Sequence, residues 1–164
     1  MTAPVVVFAI GNPSRGDDAI GPELLGRLQK WLEKEQLAER VELIEDFQLN
    51  IEHALDLEGR ELALFIDAGQ NTPAPYVFER IFPAAIPSHS THALPPPAVL
   101  QVYRQTESRE PPPAFVLCVR GEHFELGEGL TVEALGRVDV AMTLLASLMK
   151  QELTLAGWSA AARQ

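Results

Sequence analysis

The side chains of this chain best suited to holding a divalent cation fall in three short stretches. Asp17 and Asp18 lie in GNPSRGDDAIG, which runs from Gly11 to Gly21. Asp67 ends the apolar run LALFI, and His89 and His92 lie in PSHSTHALPP. Two carboxylates and one imidazole make an O,O,N donor set of the kind that divalent first-row metals accept. The same groups serve as acids and bases in hydrolysis. Each also has a plainer role. An aspartate beside a helix start commonly caps it, an aspartate at a strand end bonds its own backbone in a turn, and a loop histidine is commonly just solvated. Adjacent carboxylates point in different directions, so one of Asp17 and Asp18 can brace the turn while the other faces a cleft.

Other chemistries are less well supported. The glycine turn lacks the third glycine of G-x-G-x-x-G and the Lys-Ser/Thr of a P-loop. Two aspartates would also repel a phosphate placed there. Cys118 is the sole cysteine, which excludes an internal disulfide and a thiolate cluster. Its place inside an apolar run reads as a small buried hydrophobe, not a nucleophile. No G-x-S-x-G elbow occurs. His53, in an exposed-looking helix, and His123, in a loop, read as bystanders.

The elements that must position these groups can be read from periodicity. Pro4 to Ile10 is apolar throughout, as expected of a strand covered on both faces. After the Gly11–Gly21 turn, Pro22 suits the first turn of a helix. Leu24, Leu25, Leu28, Trp31 and Leu32 then share one face, and Lys30, Glu33 and Lys34 the other. Arg40 to Asp46 reads as a second strand. FQLNIEHALDLEG reads as a loop and short helix, with Asn50 as N-cap and Gly59 as stop. ELALFIDAG is a third strand, and YVFERIF a fourth, at an edge given its proline flanks. A helix opens near Pro95 to Pro97, AFVLCVRG is the fifth strand, and Thr131 caps the last long helix. The expected organisation is one domain over residues 1–157, with a frayed tail at 158–164. Strands alternating with helices predict an α/β fold. It would be a three-layer domain with a twisted, mostly parallel five-stranded sheet and helices on both faces. Ligands of such sheets sit outside the carboxyl ends of the strands. That rule would bring the loops bearing Asp17 and Asp18, Asp67, and Ser88 to His92 to one rim.

The chain has 164 residues, 46% of them hydrophobic, and a net charge of −10. The acidity argues against a nucleic-acid or anionic-membrane surface. No stretch approaches a membrane span, and MTAPVVVFAIG lacks the basic n-region of a secretory signal. A cytoplasmic protein is expected, and nothing points to an obligate dimer, so a monomer is expected.

Taken in order, GNPSRGDDAIG after the first strand, FIDAG closing the third, STHALPP opening a helix and LCVRGEHFELGEGLT at the fifth strand and last helix resemble the hydrogenase maturation endopeptidases. The G-N-x-x-x-x-D-[DE]-x-x-G turn is the most specific piece, and the likeness spans nearly the whole chain. FQLNIEH and RGEHFELGEGL look most like members that process soluble or NAD-reducing hydrogenases. The resemblance implies an endopeptidase that removes the C-terminal extension of the nickel–iron hydrogenase large-subunit precursor once nickel is inserted. The implied partner is that precursor. The nickel arrives with the substrate, and no organic cofactor is implied. Carried over by motif, Asp18, Asp67 and His92 would contact the metal and carry catalysis, with His89 a competitor for the histidine role. Asp17 would brace the loop, and Asn12 and Arg15 would shape it or meet substrate. One departure is EDFQLN, where many members have a DGGT-like turn; it bears on which hydrogenase is processed. The rival expectation is a non-catalytic, nickel-dependent chaperone of the same precursor.

Overall fold

The computed structural model describes residues 2–85, 93–151 and 153–163. Five strands form one sheet: β1 (Val5–Ile10), β2 (Val41–Asp46), β3 (Leu62–Gly69), β4 (Tyr76–Ile81) and β5 (Ala114–Arg120). Their order is β2-β1-β3-β5-β4; all neighbours are parallel except β4, which runs antiparallel to β5 at one edge. The four α-helices are α1 (Ile20–Lys34), α2 (Pro96–Glu107), α3 (Val132–Lys150) and α4 (Leu155–Ala162).

Side chains of a strand alternate between faces, and here both faces are covered. Val5, Val7 and Ala9 of β1 join Leu62, Leu64 and Ile66 of β3 in one core, packed against α1, α3 and α4. Val6, Phe8 and Ile10 join Ala63 and Phe65 in a second core, against α2 and the 3₁₀ segment Ile51–Leu57. This is why β1 reads as an unbroken apolar run: all six of its residues are buried. The α/β expectation, the mostly parallel five-stranded sheet and the edge position of the fourth strand are borne out.

The chain leaves β1 to reach β2 on one side, then places β3 on the other side of β1. The carboxyl ends of β1 and β3 therefore flank the point where the winding reverses, which in open α/β sheets leaves a crevice. Asp18 follows β1, and Asp67 lies near the end of β3.

At the C-terminal end, within the stretch expected to be a tail, α4 runs from Leu155 to Ala162. The Thr154 hydroxyl caps it, accepting from Gly157 N–H at 3.2 Å. Trp158 is 0% exposed. Its indole N–H donates to the Leu148 carbonyl at 3.3 Å, and its ring meets Phe115 edge-on at 5.5 Å. The anchor is a single aromatic residue packed into the core, and a lone tryptophan after a glycine has no helical periodicity to announce it.

Candidate active site

The turn after β1 owes its shape to two glycines. Gly11 has φ +147, and a Cβ there would stand 2.1 Å from the Asp18 carbonyl oxygen; Gly16 has φ +55, and its Cβ would stand 2.4 Å from the His123 carbonyl oxygen. Only glycine tolerates both the conformation and the approach. Between them Asn12 shapes the loop, its side-chain oxygen accepting from Ser14 N–H at 2.9 Å. Arg15 is exposed, and its carbonyl accepts from Asp18 N–H at 3.0 Å. Residues Gly16–Ala19 then form a 3₁₀ turn that runs into α1.

The adjacent aspartates do different things. Asp17 is 0% exposed. Its carboxylate accepts from the main-chain N–H groups of Glu122 (2.7 Å), His123 (3.2 Å) and Thr131 (2.8 Å) and from the Thr131 hydroxyl (2.9 Å). Burial works against its ionised form, but these hydrogen bonds together hold its carboxyl below the ordinary carboxylate value. Asp17 thus ties the first turn to the loop between β5 and α3, the bracing role expected of it. His123 takes part in this seat through its main chain, and its residue is exposed.

Asp18 faces elsewhere. One carboxylate oxygen accepts from Asn12 N–H at 2.7 Å, and the side chain lines a cavity of about 440 Å³ together with Asp67. Ile10, Phe65 and Val116 from the sheet, Phe47, Gln48 and Leu49 after β2, and Leu94 to Pro96 at the start of α2 contribute to the same walls. Among the described residues, the Asp67 carboxylate accepts a local bond, from Ala68 N–H at 2.8 Å. Burial, opposed by that bond and reinforced by the charge of Asp18, pushes its carboxyl up to about 7. Two carboxylates of like charge in a largely apolar cavity make an unfavourable pair that a bound cation would relieve. A hollow of similar size, about 490 Å³ between β4 and α4, holds one carboxylate among the described residues, Glu79.

Of the expected ligands, then, Asp18 and Asp67 meet at one cavity. His89 and His92 lie outside the described residues; Ala93 lines the cavity wall. Among the described residues no group of three or more His, Cys, Asp or Glu side chains could hold a metal by themselves. Asp18 and Asp67 therefore supply two oxygen donors and leave the set incomplete.

Two residues differ from the reading of the sequence. Cys118 is half-buried, not a pure core residue. It sits opposite Asp67 in the β3–β5 register and lines the cavity. Burial pushes its thiol up, and a contact of 3.4 Å with the Thr72 hydroxyl moderates this, so it stays a thiol and not a nucleophilic thiolate. His53 is no exposed bystander. It is 5% exposed and completes a reciprocal cap with Asn50: Glu52 N–H donates to the Asn50 side chain, and Asn50 N–H donates to the His53 ring. The wall formed by Phe47, Gln48 and Leu49 was marked in the sequence only by the unusual EDFQLN segment.

No protein-family model matches the chain, and no curated protein matches it. Solved structures do. The hydrogenase maturating endopeptidase HybD from E. coli is 24% identical, with a TM-score of 0.66 over 90% of this chain and 93% of that one. The [NiFe] hydrogenase maturation protease HycI from Thermococcus kodakarensis KOD1 is 22% identical, with a TM-score of 0.64 over 92% and 94%. HybD from Thermococcus kodakarensis is 19% identical, with a TM-score of 0.63 over 89% and 99%. The likeness spans nearly the full length on both sides, and it establishes that this chain has the fold of the [NiFe] hydrogenase maturation proteases.

Proposed function

We propose that this protein is an endopeptidase that removes the C-terminal extension of a nickel–iron hydrogenase large-subunit precursor after nickel insertion. The precursor of a soluble, NAD-reducing hydrogenase is the substrate favoured by the FQLNIEH and RGEHFELGEGL segments, and the enzyme acts as a monomer. The observation that carries the reading is the pairing of Asp18 and Asp67 at one cavity, on a fold shared with solved hydrogenase maturation proteases. Asp67 is costly to ionise there. A cation presented by the substrate offsets that cost, so a nickel-loaded precursor is held more tightly than an empty one.

In this reading Asp18, Asp67 and His92 contact the nickel that the precursor carries. The scissile amide then lies beside the carboxylates. Water adds to its carbonyl carbon, the C–N bond breaks, and the water proton passes to the departing amine. Asp17, fully engaged with the 122–131 loop, keeps Asp18 on the cavity side of the turn.

The test is a cleavage assay on nickel-loaded and nickel-free precursor, with products weighed by mass spectrometry. A C-terminal peptide should be lost only from the loaded form. Asp18→Ala, Asp67→Ala and His92→Ala should abolish the loss, and His89→Ala should not. Stable binding of the loaded precursor without cleavage would replace the peptidase by a nickel-dependent chaperone.

A further inference from the structure

The segment from Asp46 to Asn50 walls the acidic cavity with Phe47, Gln48 and Leu49. Main-chain bonds hold it along its length: Gly11 N–H donates to the Asp46 carbonyl at 3.0 Å, Leu94 N–H to the Leu49 carbonyl at 3.0 Å, and His53 N–H to the Asn50 carbonyl at 3.1 Å. A single side chain joins its two ends. The Nδ1 atom of His53 accepts from Asn50 N–H at 3.0 Å, and Nε2 lies 3.3 Å from Oδ2 of Asp46. The other Asp46 oxygen accepts from Phe47 N–H at 2.7 Å. A nitrogen that accepts an N–H carries no proton of its own, so the ring proton is on Nε2, facing Asp46. The same ring stands edge-on to Phe8 at 5.9 Å, and Phe8 stacks on Phe65 at 4.7 Å. Phe65 lines the cavity.

We propose that His53 is a positioning residue that sets the width of the cavity. It clasps the 46–50 segment from within, and so determines how closely Phe47 and Leu49 approach the substrate segment beside the reacting bond. Phe47 is 62% exposed at this wall, so its place depends on the backbone beneath it and not on packing over it. The clasp needs an acceptor and a donor on opposite sides of one rigid buried group, which imidazole supplies. His53 does not line the cavity, and its effect passes through the segment it holds. The substrate side of this inference rests on the peptidase reading; the clasp rests on the geometry alone.

The test uses the full chain with His53→Ala, His53→Asn and His53→Gln. Asparagine offers an oxygen near the Nδ1 position and can keep the Asn50 bond. Glutamine offers an amide nitrogen near the Nε2 position and can keep the Asp46 bond. With nickel-loaded precursor, His53→Ala should raise KM roughly tenfold or more at nearly unchanged kcat, and the two amides should each recover part of it. Amide hydrogen exchange in the free protein should accelerate from Phe47 to Asn50 and stay unchanged in β1 and β3. Unchanged KM in every variant, or a loss confined to kcat, overturns the proposal. If wild-type protein cleaves no precursor, the peptidase reading fails by itself. Exchange then decides the clasp: acceleration confined to the 46–50 segment upholds it, and uniform acceleration across the chain overturns it.

Discussion

Asp67→Asn should make the free protein more stable while destroying its activity. The side chain keeps its shape, and an amide oxygen can still accept from Ala68 N–H. What changes is the charge. The Asp67 carboxyl is raised from 3.8 to about 7, chiefly by burial and further by the charge of Asp18. A raised carboxyl stabilises nothing when ionised. Below about pH 4 it is neutral in folded and unfolded chains alike and contributes no difference. As pH rises from about 4 to 7 the unfolded chain releases its proton and the folded chain does not, so stability falls. At about 1.4 kcal/mol per pH unit the full penalty is on the order of 4 kcal/mol, and partial exposure of the residue lowers the expectation to about 2–4 kcal/mol. Urea unfolding of both proteins between about pH 4 and pH 8 isolates this contribution together with its coupling to Asp18, because groups far from Asp67 cancel in the difference. The two proteins should be nearly equal at the acid end, and the variant should be more stable by about 2–4 kcal/mol at the alkaline end. The variant should also cleave no precursor. A difference that is flat with pH, or a variant less stable at about pH 8, would refute the claim that the cavity holds a costly carboxylate.

Three further outcomes follow from the same geometry. Asp17→Ala takes the carboxylate acceptor from the N–H groups of Glu122, His123 and Thr131 and should cost about 3 kcal/mol in chemical denaturation. Because its carboxyl is held low, the stability Asp17 supplies should be full above about pH 4 and drain away as pH falls through its folded value. Gly11→Ala drives a methyl to 2.1 Å from the Asp18 carbonyl oxygen; precursor cleavage should fall along with Tm, and a variant with wild-type activity would show that the turn's conformation does not matter. Trp158→Ala should lose about 3–5 kcal/mol, read by urea unfolding, because a fully buried indole cannot be replaced by collapse around α4.

The residues themselves announced the strands and helices because local physics governs them. β1 and β3 are apolar runs since both sheet faces are covered, and the heptad-like spacing of leucines in α1 follows from the one face it buries. Thr131 and Asn50 were legible as caps because a cap bonds groups only two or three residues away. The motif resemblance points to Asp18, Asp67 and His92, and the fold brings Asp18 and Asp67 to one cavity.

What lay beyond the sequence depends on contacts between distant segments. Asp17 and Asp18 are neighbours of the same chemistry, and only the 122–131 loop, more than a hundred residues on, separates the brace from the cavity carboxylate. His53 looked exposed because its partners, Asp46 and Phe8, come from β2 and β1. Trp158 anchors α4 by reaching Phe115 in β5. The raised carboxyl of Asp67 is likewise a tertiary property. The strand end was visible in LALFID, but the desolvation that makes its charge costly comes from the walls that β1, the segment after β2 and the start of α2 build around it.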